Sequence, residues 1–207
     1  MKQRTRIRWL VALLLVVPLL ASQALAVDQE KRAEVAKKKA EVLEQSIVAE
    51  GGDVSPDPSM TITKPGIQAV DPAGKAPLDN AITCMARSLY WETKGQNAAT
   101  MEAVANVMMN RLSSDEFPDT ICEVVKQGGE QGACQFSWWC DGRADEVKEE
   151  DSYLIVKEVT RKALNQQLED RTDGALFFHQ RSISPRWASA FLRTAEVGKL
   201  LFYKPQD

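Results

Sequence analysis

Histidine is almost absent from this chain: among 207 residues His179 is the single one. That scarcity excludes sites built on a histidine pair and weakens any Ser-His-Asp reading, so carboxylates must carry most of the acid-base chemistry. Basic charge is in no excess either. With 26 Lys and Arg against 29 Asp and Glu, the formal net charge of -3 cannot neutralise a phosphate backbone, and nucleic acid is excluded as a main partner. Long apolar runs are missing beyond the N-terminus, and 44% hydrophobic with 27% charged residues fits neither wholesale disorder nor a multi-span membrane protein. Internal repeats are also lacking. The length suits one domain with appendages.

What is present begins with a basic stretch, MKQRTRIR, followed by the apolar run WLVALLLVVPLLA and by small residues ending Ala24-Leu25-Ala26. This three-part form marks residues 1–26 as a signal peptide cut before Val27. The apolar run is short for a membrane span and Pro18 interrupts it, which argues against an uncleaved anchor. The expected protein is exported to the periplasm, the cell envelope or the medium, without stable membrane insertion after cleavage. In such an oxidising compartment the four cysteines, Cys84, Cys122, Cys134 and Cys140, read as two intramolecular disulfides rather than a metal cluster. Three pairings are open, and spacing does not choose among them. No metal or other cofactor is implied.

Residues 27–50 are rich in Lys, Glu and Ala, with Ala36, Ala40, Leu43 and Ile47 at helical spacing, and are expected to form a solvated spacer helix. Fewer than three heptads are too few for a dimerising coiled coil, so a monomer is expected. Residues 51–77 carry most of the prolines and several glycines without apolar periodicity, which predicts a flexible linker. The folded domain is then 78–207. Its first helix is predicted over 79–93, capped by Asp79 or Asn80, and its second over 98–112, buried on most sides. Loops and short strands are expected over 117–142, and a third helix over 152–168 with Asp151 as its cap. Short strands at 175–179 and 200–203 flank a fourth predicted helix, opening at Ser184-Pro185 and closing at Gly198. The fold class is α+β, mainly α, with a small β-sheet.

Glu92 falls in the last turn of the first of these helices, where a negative side chain opposes the helix dipole. Dipole and partial burial both favour the neutral acid and raise the pKa, as a general acid near neutral pH requires. The plainer reading is an exposed glutamate balanced by Lys94.

A resemblance weighs on that choice. The stretch CMARSLYWETKGQNAATMEAVANVMMNRL resembles the opening of the SleB-type cell-wall hydrolase domain, the family of spore-cortex-lytic enzymes and their relatives in bacteria and phages. An aromatic residue, a Glu-Ala-Arg-Gly-Glu run and a helix ending in Asn-Arg are matched by Tyr90, by Glu92-Thr93-Lys94-Gly95-Gln96 and by Asn110-Arg111. FPDTICEVV, CQFSWWCDG and ALFFHQRSISPRWASAFLRTAEVGKLLFY continue the family's order to Tyr203. The resemblance implies a lysozyme-like fold and cleavage of peptidoglycan glycan strands between N-acetylmuramic acid and N-acetylglucosamine, with Glu92 as the catalytic acid. It implies lytic transglycosylase or muramidase chemistry. Gln96 departs from the family's second glutamate, and Thr93-Lys94 from its Ala-Arg. Those departures motivate the alternative of a non-catalytic peptidoglycan-binding module, and Asp119, Glu123 or Glu130 stand as candidate second carboxylates.

Around Glu92 the expected substrate-binding residues are Tyr90, Gln135, Phe136, Ser137 and His179. Aromatics stack on the apolar face of a sugar, and Gln135 and Ser137 supply polar contacts, against core packing and turn hydrogen bonds as the plainer alternatives. Of Trp138 and Trp139 at most one faces the cleft. A lone histidine closing an apolar strand is more often a satisfied structural group, but the family pattern assigns His179 to substrate positioning. Trp187 and Phe191 read as core. Arg111 either offsets the dipole of its helix or organises the cleft.

Overall fold

The computed structural model describes residues 3–51, 55–131 and 134–206, with the backbone alone for residues 3–22, 24 and 131. The side chains of most of the predicted leader, and the middle of the predicted linker at 52–54, therefore lie outside the described residues. Six α-helices run as α1 (Gln3–Glu50), α2 (Lys64–Ala69), α3 (Ala81–Glu92), α4 (Ala98–Leu112), α5 (Ile121–Lys126) and α6 (Glu150–Leu164). Three strands follow, β1 (Phe177–Gln180), β2 (Leu192–Val197) and β3 (Leu200–Lys204), in an antiparallel sheet of order β1-β3-β2. The architecture is α+β and mainly helical.

Helix α3 is the axis of the fold. Every residue from Ala81 to Tyr90 is buried, because α1, α4, α5 and α6 pack around it. Asn80 starts α3 by accepting the Thr83 N–H, and Asn97 starts α4 by accepting the Thr100 N–H. Helix α4 has the predicted bounds. Helix α6 begins two residues earlier than expected and ends at Leu164. Its cap position is Glu149, without a side-chain bond, while acidic Glu150 and Asp151 and basic Arg161 and Lys162 complement the two ends of its dipole.

The segments read as appendages are parts of the core. In α1 the stripe Ala36, Ala40, Leu43 and Ile47 is at most 2% exposed, packed with Ile62, Ile67 and Val70 from the segment read as a linker. Helix α2 is capped by the Thr63 hydroxyl. Further polar ties hold this stretch: the Asn165 amide donates to the Ile62 carbonyl and accepts from its N–H, and Lys157 Nζ donates to the carbonyls of Gln68 and Val70. Asp71 is buried against Arg87 at 3.0 Å and accepts from the Tyr153 hydroxyl at 2.8 Å. Proline and glycine content marks turns, but it does not reveal that the turns are tied to side chains far away in the chain. Leu78 is therefore no boundary of the folded unit.

Two further expectations change. Residues 117–142 hold α5 and two single-turn 3-10 segments instead of strands; Thr120 caps α5, its hydroxyl accepting the Glu123 N–H and donating to the Glu123 carboxylate, a Thr-x-x-Glu spacing legible in the sequence. The predicted fourth helix is a 3-10 turn at Arg186–Ala190 followed by β2. Pro185 opens only that turn, and Gly198, at φ +60°, makes the two-residue β2–β3 hairpin rather than a helix C-cap. A Cβ at Gly198 would come 2.5 Å from Thr100 Oγ1. Gly198→Ala is accordingly expected to cost about 1–2 kcal/mol in denaturant unfolding, and an unchanged midpoint would show that the hairpin shifts freely.

The cysteines form two disulfides, Cys84–Cys122 and Cys134–Cys140. The first ties α3 to α5. The second closes a short loop, 134–140, beside the end of α3.

Candidate active site

Helix α3 stops at Glu92 because Thr93 leaves helical geometry and turns its hydroxyl back to the Leu89 carbonyl, and Gly95 then takes φ +73°. The carboxylate is thereby fixed at the carbonyl end of a buried helix. Burial pushes its pKa up to about 7, against the opposing pull of the Ser137 backbone N–H and the Arg111 guanidinium. Among the described residues no other carboxylate perturbs it. Asp119 and Glu130 are exposed, and Glu123 is committed to the Thr120 cap. Lys94 does not balance Glu92: it pairs with Glu149 at 2.9 Å and lies over the rings of Tyr90 and Trp91.

The expected binding residues separate into two groups. Gln135 and Ser137 are exposed on the loop closed by Cys134–Cys140, where the Ser137 backbone N–H acts on Glu92 and the Gln135 side chain accepts from Arg111. Tyr90 is 2% exposed and its hydroxyl accepts from the N–H groups of Lys148 and Glu149, so it anchors the loop before α6. Phe136 is fully buried beneath Arg111. His179 is buried too, with Nδ1 at 2.8 Å from the Gln180 carbonyl and Nε2 at 3.0 Å from the Tyr203 hydroxyl, its ring stacked on that of Tyr203. Both ring nitrogens thus have protein partners. Of the two tryptophans of the loop, Trp138 is the more buried and donates to the Ser88 hydroxyl.

Two grooves adjoin this loop. One, of about 280 Å³, is lined by Arg111, Gln135, Phe177, Phe178, Trp187 and Phe191. Trp187 and Phe191, read from sequence as core, are half-buried and line it, because β2 replaces the helix that would have turned them inward. The second, of about 320 Å³, is lined by Trp91, Trp138, Asp141, Arg143, Asp145 and Lys148. Trp91 precedes Glu92 directly, and that adjacency was its one sequence signal. A larger cavity of about 510 Å³ lies between α1 and the starts of α3 and α5; half of its lining is glutamate and lysine, and none of it comes from Glu92 or the two grooves beside it. An acid near pH 7 with aromatic grooves at the same loop can protonate a leaving oxygen while apolar sugar faces stack beside it. No cluster among the described residues could hold a metal ion.

The family model described as Cell Wall Hydrolase matches residues 95–203, more than half of the chain. The chain belongs to the cell wall hydrolase family. This cell wall hydrolase is 29% identical over 134 residues to the spore cortex-lytic enzyme of Halalkalibacterium halodurans, covering 63% of this chain and 36% of that protein. A spore cortex-lytic enzyme of Bacillus cereus is 28% identical over 128 residues, 60% of this chain and 44% of that protein. The matched part is thus less than half the length of either relative. No solved structure matches the chain significantly. The α+β arrangement agrees with the lysozyme-like domain expected of the family. Glu92 stands three residues before the family match begins.

Proposed function

We propose that this cell wall hydrolase cleaves peptidoglycan glycan strands between N-acetylmuramic acid and N-acetylglucosamine, with Glu92 as the acid and base. The observation that carries the reading is a half-buried carboxyl at the end of α3, pushed up to about 7 by its surroundings with no second carboxylate among the described residues acting on it. Near neutral pH such a group is populated in both forms, so it first protonates the glycosidic oxygen and, as carboxylate, then takes a proton. Most glycosidases need a second carboxylate to activate water or attack the sugar. With no other carboxylate perturbing Glu92 among the described residues, the reading favours intramolecular attack: the muramic C6 hydroxyl gives its proton to Glu92 and its oxygen bonds to the anomeric carbon, leaving a 1,6-anhydro end. Gln135 and Ser137, with Trp187 and Phe191 in one groove and Trp91 in the other, supply the sugar contacts.

The compartment follows from the leader. Cleavage before Val27 would leave the buried α1 stripe from Ala36 to Ile47 intact, so an exported mature chain keeps its core. Among the described residues no helix is long and apolar enough to cross a membrane. The test is digestion of purified sacculi followed by mass spectrometry of the released fragments. Products lighter by one water than hydrolysed muropeptides are expected; hydrolysed ends would replace the intramolecular step by water attack, and no release beside a working control muramidase would overturn the reading.

A further inference from the structure

Arg111 sits in the last turn of α4, where an arginine that merely offsets the helix dipole would keep its charged head in water. Here the guanidinium turns inward and is 2% exposed. Nε donates to the Leu176 carbonyl at 2.8 Å and Nη2 to Gln135 Oε1 at 3.2 Å, both neutral acceptors. Nη1 is buried with no hydrogen-bond partner. The rings of Phe117, Phe136 and Phe177 stand 5.0, 5.5 and 5.5 Å from the guanidinium carbon, and no carboxylate lies within ion-pair distance among the described residues. Burying a cation in this way is costly, and aromatic faces hold it without neutralising it.

We infer that Arg111 is a positioning residue for Glu92, its charge kept uncompensated inside a phenylalanine box so that it acts on the carboxylate that forms when the acid gives up its proton. The inference rests on the reading of Glu92 as that acid. The other charged groups around the end of α3 are engaged elsewhere: Lys94 with Glu149, Arg87 with Asp71, while Asp141, Asp145, Arg143 and Lys148 belong to the Trp91 groove. From the sheet, His179 faces Gln180 and Tyr203. Among the described residues, the Arg111 charge opposes the rise in the Glu92 pKa and the Glu92 carboxylate favours the charged form of Arg111 in return. The Cys134–Cys140 loop brings the two together, since Gln135 holds the guanidinium and the Ser137 N–H faces the acid two residues later. With Nη1 sealed, the Arg111 charge acts on Glu92 from the wall of the groove that Gln135 and Phe177 also line.

The test uses the full chain labelled with carbon-13 at glutamate carboxyls, with the Glu92 signal assigned by its loss in Glu92→Gln. Wild type, Arg111→Lys and Arg111→Gln are titrated by NMR. Arg111→Gln should move the Glu92 midpoint up by about one pH unit or more, the usual reach of a nearby opposite charge, while Arg111→Lys, which keeps the charge, should shift it far less. On sacculi, Arg111→Gln should lower kcat roughly tenfold and move the alkaline limb of the pH profile upward with KM unchanged. Equal midpoints in wild type and Arg111→Gln would reduce Arg111 to a structural role. Should Arg111→Gln not fold, the wild-type Arg111 Nε resonance decides: it should titrate with the Glu92 midpoint and lose that response in Glu92→Gln, and a flat response overturns the inference. The carboxyl titration is independent of turnover, so a shifted midpoint in a chain that releases nothing from sacculi would sustain the pairing and sink the proposed activity.

Discussion

Glu92→Gln should lower glycan cleavage by about two to four orders of magnitude, the span typical of removing a general acid, while the protein becomes more stable above neutral pH. Glutamine keeps the shape of the side chain and removes the transferable proton. The gain in stability follows from linkage. The carboxyl titrates at about 7 in the fold against an ordinary 4.5, so the folded state holds its proton more tightly than the unfolded chain. That contribution is fully present below pH 4.5 and is lost as the pH rises through 7. By pH 8 the wild type therefore carries a deficit of about 1–3 kcal/mol, the upper figure being the full pKa difference and the lower allowing for partial exposure. Glu92→Gln should accordingly melt several degrees higher than wild type at pH 8 and close to it at pH 4.5. Muropeptide release and melting, measured on the same preparations, separate the possibilities. Activity within tenfold of wild type, with no pH-dependent gap in melting, would remove Glu92 from the mechanism.

A chain beginning at Leu78 should not fold, whereas one beginning at Val27 should fold and retain activity. The shorter chain loses Leu43, Ile47, Ile62, Ile67 and Val70, each at most 1% exposed. At about 1.5–3 kcal/mol per buried side chain, that loss is on the order of 10 kcal/mol, comparable with the whole stability of a domain. It also removes Asp71 and leaves Arg87 buried without its carboxylate, itself about 3–5 kcal/mol. Circular dichroism and thermal melting of the two fragments check this. A cooperative transition from the Leu78 fragment, with full activity, would show that α1 and α2 are dispensable.

The family resemblance, the existence of α3 and α4, and the place of Glu92 at the end of a helix were legible in the sequence. Each rests on short-range evidence: a cap at Asp79 or Asn80, helical spacing, and ordered motifs. The same kind of evidence misled at 184–198, where a proline and a glycine spaced like helix ends belong to a 3-10 turn and a hairpin. There the pairing of Leu192–Val197 with β3 decides, and strand pairing is a tertiary matter.

By itself, then, the sequence determined a mainly helical domain of this family with an acid at a helix terminus and an even set of cysteines. Only the tertiary structure decided how those cysteines pair, that the stretch rich in proline and glycine belongs to the core, that Tyr90 and Phe136 are buried while Trp91 and Trp187 line grooves, and that Arg111 turns inward among three phenylalanine rings. The physical reason is the range of the interactions. A cap or an apolar stripe is written within a few neighbouring residues, whereas Tyr153 reaches Asp71 across 82 positions and Arg111 reaches Leu176 across 65. Burial, which sets the charge state of Glu92, is the sum of such distant contacts.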